Sequence, residues 1–146
     1  MTPSYTHRRG RVIVSFALFA VCAALTGCGQ KGPVLYPVTG KVTAPDGKSL
    51  EHATVVFHPV DATDPNAVKP RGKVGADGSF TLTSYTTGDG AAPGEYRVTV
   101  ELWLSGKGDD PPANRLSDKY AKPDSSGLKA TVNAGPTELT PFTVKR

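Results

Sequence analysis

The chain has 146 residues and a formal net charge of +4, from 17 Lys and Arg against 13 Asp and Glu. Arg8, Arg9 and Arg11 lie in the first 27 residues, which hold no acid, so residues 28–146 carry 14 bases against 13 acids. A nearly neutral domain gives no electrostatic case for nucleic acid or another polyanion as partner.

Those arginines open an export-type leader. Val12 to Leu25 follows as fourteen positions of apolar core broken only by Ser15. A membrane-spanning helix needs about 20 apolar residues, so this core reads as a signal rather than a span. Leu25-Thr26-Gly27-Cys28 closes it and resembles the lipobox of bacterial lipoproteins. The resemblance implies cleavage between Gly27 and Cys28, with a diacylglyceryl thioether on Cys28 and often an acyl chain on the new amino group. Residues 1–27 are then a cleaved signal peptide. Cys22 leaves with it and Cys28 is committed to lipid, so no disulfide, thiolate metal ligand or thiol nucleophile remains. Gly29 stands where an aspartate would commonly retain such a protein at the inner membrane, which favours the outer membrane over the inner.

Residues 28–37 read as a lipidated tether. Gly29 to Pro37 contains two glycines and two prolines and extends to at most about 30 Å. Residues 38–146 are long enough for one domain with its own core.

Within that domain the apolar pattern alternates in short runs. Val38 to Thr43 is predicted as a strand ending at a turn over Ala44-Pro45-Asp46-Gly47. Ala53 to Pro59 is the next, with Ala53, Val55 and Phe57 sharing a face. Lys73-Val74 and Phe80 to Thr83 read as a hairpin around Ala76-Asp77-Gly78. The longest predicted strand is Glu95 to Leu104, where Tyr96, Val98, Val100 and Leu102 alternate with Glu95, Arg97, Thr99 and Glu101. Ser105 to Gly127 reads as a long irregular loop, and Leu128 to Val132 and Leu139 to Val144 close the domain. Six or seven strands at roughly ten-residue spacing predict an all-β, antiparallel sandwich.

The runs Val38-x-Gly40-x-Val42, Pro45-Asp46-Gly47-Lys48-x-Leu50, Ala53-Thr54-Val55-x-Phe57, Ala76-Asp77-Gly78-Ser79-Phe80-x-Leu82 and Pro93-Gly94-Glu95-Tyr96-x-Val98-x-Val100 resemble the carboxypeptidase regulatory-like domain. That resemblance implies a seven-stranded, transthyretin-like sandwich, with an immunoglobulin-like sandwich as the alternative. It implies no single activity, because this architecture carries unrelated roles.

Few residues suggest chemistry. His52 and His58 are six apart without further metal ligands nearby, and read as rim or surface histidines. Asp109, Asp110, Asn114 and Asp118 are oxygen donors, but match no calcium loop and read as a solvated loop. Serine nucleophiles lack an elbow motif. The transthyretin-related hydrolases end in Tyr-Arg-Gly-Ser, whereas this chain ends Phe142-Thr143-Val144-Lys145-Arg146. No catalytic, cofactor or metal residue is therefore expected.

Among the aromatics, Tyr96 falls in register with the core, while Trp103 falls in register with Glu101 and Thr99 and points away from it. Packing beneath the 105–127 loop is the preferred placement for Trp103; an exposed position would make it a stacking surface. The reading as a whole is a non-catalytic envelope lipoprotein, held at the membrane through Cys28 and presenting a structural or protein-interaction sandwich. The alternative is a glycan- or small-ligand-binding module using Trp103 and the 105–127 loop.

Overall fold

The computed structural model describes residues 1, 32–64, 66–106 and 108–146. Gly27 and Cys28, with the cleavage and lipid-attachment assignments, lie outside them. The chain divides into two units, and Pro33–Arg146 is the unit described below.

Strand β1 (Val38–Thr43) buries Val38, Gly40 and Val42 and exposes Thr39 and Lys41, as its alternation requires. The chain then turns at Gly47, whose φ is +80°, with the Asp46 carboxylate accepting from the Lys48 amide. Strand β2 (Thr54–Pro59) follows, then β3 (Arg71–Lys73), β4 (Ser79–Thr81) and β5 (Gly94–Glu101). Next come the two-residue strands β6 (Trp103–Leu104) and β7 (Ala113–Asn114) and a 3-10 helix over Asp118–Ala121. Strands β8 (Leu128–Val132), β9 (Thr137–Glu138) and β10 (Phe142–Thr143) complete the chain.

The strands form two main sheets. One has the order β3-β2-β5-β8 and is antiparallel throughout. In the other, β1 pairs antiparallel with β4 on one side, and with β9 and then β10 on the other. The inward faces meet in one core. Phe57 of β2 lies 5.6 Å from Tyr96, 6.3 Å from Phe80 and 6.4 Å from Phe142, ring centre to ring centre. Val55, Val98, Val100, Val38, Val42 and Leu82 are fully buried around this group. Each such side chain contributes about 1.5–3 kcal/mol by leaving water. The protein is thus an all-β sandwich.

Three sequence expectations need correction. First, the sandwich is not wholly antiparallel, because β1 runs parallel to both β9 and β10. The first and last strands of a domain share no hairpin, so nothing forces them to oppose one another. Second, the hairpin around Asp77-Gly78 is bonded only at its ends, Gly75 to Ser79 and Arg71 to Thr83. Between those points β3 joins β2 and β4 joins β1, so its two arms belong to different sheets. Its turn is as expected: Gly78 has φ +83°, a value that suits glycine, and Asp77 accepts from the amide and hydroxyl of Ser79. Third, the long strand breaks at Leu102, and its last two residues form β6 in a separate two-stranded ribbon with β7.

Part of the segment read as tether lies in the folded unit. Tyr36 and Ala91 exchange both backbone hydrogen bonds, at 2.9 and 3.0 Å. Gly90 makes this approach possible: with φ +86°, a Cβ there would lie 1.8 Å from the Tyr36 carbonyl oxygen.

Candidate functional site at the ribbon end of β5

Strand β5 links the two ends of the domain. Its start lies beside the entering chain, where Ala91 pairs with Tyr36 and the Tyr96 hydroxyl donates to the Ala92 carbonyl at 2.7 Å. Eight residues later, roughly 25 Å along the strand, it delivers the ribbon.

Glu101 and Trp103 point the same way, two residues apart, and the indole N–H donates to the Glu101 carboxylate at 3.0 Å. Between them Leu102 turns inward and is buried. Asn114 secures the break: its side-chain oxygen accepts from the amides of Leu102 at 3.0 Å and Leu116 at 3.2 Å. The Arg115 amide donates to the Leu102 carbonyl at 2.8 Å, and Trp103 and Leu104 pair with Asn114 and Ala113. The backbone under Trp103 is therefore held on both sides.

Within the 105–127 segment, the described residues of 105–112 are irregular as expected, whereas residues 113–126 are built into the domain. Leu116, Tyr120 and Ser126 are buried. The Tyr120 hydroxyl accepts from the Lys145 amide at 3.3 Å, joining the 3-10 helix to the chain just past β10. Lys119 places its ammonium 4.6 Å from the centre of the Tyr120 ring.

This arrangement corrects the preferred placement of Trp103. The loop pairs with Trp103 edge to edge and leaves it 57 % exposed. Leu104 beside it is 40 % exposed. Strict alternation turns Trp103 outward and Leu104 inward, and the break after Leu102 is what brings Leu104 out as well. Neither lines the clefts formed at residues 127–143, around Gly72 and Phe80, beside Tyr96 or around Gly40. The site is a projecting apolar tip with one carboxylate at its side, chemically suited to contact and not to enclosing a small molecule.

The other candidate residues do not converge here. His58 lies within β2, whereas His52 stands in the turn before that strand. His52 is exposed, has φ +69° and lies 3.7 Å from the Glu51 carboxylate. His58 lies on the outer face, its Nε2 3.0 Å from the hydroxyl of buried Thr99. Burial, and after it the charge of Lys69, holds the His58 pKa below the usual imidazole value. A hydrolytic pair would need the two imidazoles in one pocket. Asp109 and Asp110 are exposed, and the side-chain oxygen of Asn114 is already occupied by two amides. Among the described residues no three His, Cys, Asp or Glu are grouped to hold a metal ion.

A second group of exposed apolar side chains was not anticipated. Val34, Val60, Val68 and Tyr85 are exposed, and Val68 and Tyr85 meet Pro33 and Leu35 around a cleft of about 180 Å³ beside Ala92 and Tyr96. This is the opposite end of β5 from Trp103. Periodicity could not flag these residues, since they stand in turns and the entering segment, where no alternation operates.

No family model matches the chain, and no curated protein does. Among solved structures, the chain is similar to a DUF3823 family protein from Parabacteroides merdae, at 20 % identity and a TM-score of 0.43. The similarity covers 78 % of this chain and 47 % of that one, so the chain spans about half its length. A 9R-lipoxygenase from Cyanothece matches at 16 % identity and a TM-score of 0.41, over 78 % of this chain and 17 % of that one.

Proposed function

We propose that the chain is a bacterial envelope lipoprotein, anchored through Cys28 with the outer membrane as the favoured address, whose sandwich binds an envelope protein through Trp103 and Leu104 and performs no catalysis. The observation that carries the recognition half is the exposure of two large apolar neighbours on a braced ribbon, at the far end of β5 from the entering chain. The leader and Leu25-Thr26-Gly27-Cys28 carry the anchoring half. The carboxypeptidase regulatory-like resemblance is compatible with such a role. An exposed indole also favours a glycan as the second reading, because sugars stack on such a face.

Trp103 is the chain's one tryptophan, so its fluorescence reports this site alone. Trp103→Ala is expected to change unfolding free energy by no more than about 0.5 kcal/mol, being a surface change. The same substitution should weaken capture of the envelope partner by about tenfold or more, as loss of a central aromatic contact does. Cross-linking in intact cells, comparing wild type with Trp103→Ala, measures this; unchanged capture removes the proposal. Quenching by peptidoglycan fragments, without any protein partner, would shift the reading to the glycan. For the anchor, Cys28→Ala should move the protein from the detergent to the aqueous phase, and unaltered partitioning refutes the lipobox assignment.

A further inference from the structure

We infer that the apolar end formed by Pro33, Val34, Leu35, Val68 and Tyr85 rests on the lipid surface itself, so that the domain stands on the membrane with Trp103 pointing away from it. This deepens the proposed function and depends on Cys28 carrying lipid.

Three observations meet. Val34, Val68 and Tyr85 are exposed, Tyr85 by 60 %. Val68, Tyr85, Pro33 and Leu35 line one cleft, so the group is contiguous and not scattered. The same end receives the chain from Cys28: Tyr36 is fixed to Ala91, and Pro33 is only five residues from the cysteine. Five residues reach at most about 18 Å, so an acylated Cys28 keeps this end, and no other, against the headgroups.

The contact would be weak from free solution. Partial burial of three side chains contributes only a few kcal/mol, against the cost of losing free motion. A short tether removes most of that cost by holding the surface at about millimolar effective concentration. The surrounding charges do not drive it: Lys69 is accompanied by Asp61, Asp64 and Glu95 on the same loops and strand end. The contact is therefore an apolar one, which anionic lipid would oppose and not strengthen.

Tyr85 is braced for this position. The Asp89 carboxylate accepts from the amides of Ser84, Tyr85 and Thr86 at 2.7–2.9 Å, fixing the turn that carries the ring. A tyrosine set at an interface, ring inward and hydroxyl in water, is a common membrane-surface arrangement.

The test uses acylated full-length protein in phosphatidylcholine–phosphatidylglycerol vesicles, with and without bromine on the acyl chains. A Tyr85→Trp, Trp103→Phe double variant should emit to the blue and lose about half its intensity or more in brominated vesicles, as a ring 5–10 Å deep would. Wild-type protein, reporting through Trp103, should be unaffected. Val68→Glu in the double variant should relieve the quenching, and a raised phosphatidylglycerol content should not deepen it. An acylated double variant that brominated lipid does not quench overturns the inference and leaves the anchor standing. Absence of the acyl mass on Cys28 overturns both. Quenching that disappears when the protein is diluted within the vesicles assigns the apolar end to a second copy and also overturns it.

Discussion

His58 shows how one side chain links burial to solution behaviour. Its ring is half-buried on the outer sheet face against Thr99, and burial, then Lys69, depresses its pKa below 6.5. Protonation therefore costs more in the folded than in the unfolded chain. Stability is complete above the unfolded pKa and falls as pH drops through 6.5 toward the lower folded value. Urea unfolding at about pH 8 and about pH 5.5 should show a loss that His58→Gln largely removes. An NMR titration should place the His58 midpoint below 6.5. The residue was legible in sequence as a face assignment, opposite Phe57, but its partner was not. Thr99 lies 41 residues away, and only the β2–β5 register, Val56 to Thr99 and His58 to Arg97, brings the two together.

At the scale of elements, Asn114 governs the ribbon. Its single oxygen satisfies two amides that strand pairing leaves free. Asn114→Ala should cost about 1–3 kcal/mol through the unsatisfied groups, and Asn114→Asp much less. Hydrogen exchange at Leu102 and Leu116 should accelerate in the alanine variant while the β2–β5 amides stay protected. The elements found most readily in sequence were those with strict alternation and a turn at each end: β1, β2 and β8 fall where predicted. The ribbon was missed because EYRVTVELWL alternates without interruption, and nothing local marks Leu102 as a break. The break is imposed by a side chain twelve residues later, and no periodic pattern ties the two positions. The same limit hid the exposure of Leu104 and the built character of residues 113–126. Trp103 was legible as facing outward, but whether a loop covered it depended on that tertiary bond.

For the whole molecule, exposed apolar groups divide between the two ends of β5, and the core between them is continuous. The lengthwise separation of entering chain and ribbon tip follows from one eight-residue strand buried on its inner face. The parallel placement of β9 and β10 beside β1 has a further effect, on timing. Val38 pairs with Thr137 and Val42 with Phe142, so the first strand finds its second neighbour only in the last ten residues of the chain. Bringing such distant segments together is slow, because loop-closure entropy is lost before the contact repays it. A chain ending at Gly135 should therefore fail to give a cooperative unfolding transition, even though it retains Phe57, Phe80 and Tyr96 and loses only Phe142 from this ring cluster. A circular permutant joining the natural ends should fold faster than wild type. During synthesis, β1 has no completed sheet to enter until Thr137 to Thr143 have been made. Delayed closure keeps the emerging chain open until its last strands are present, the state that the proposed export route would require.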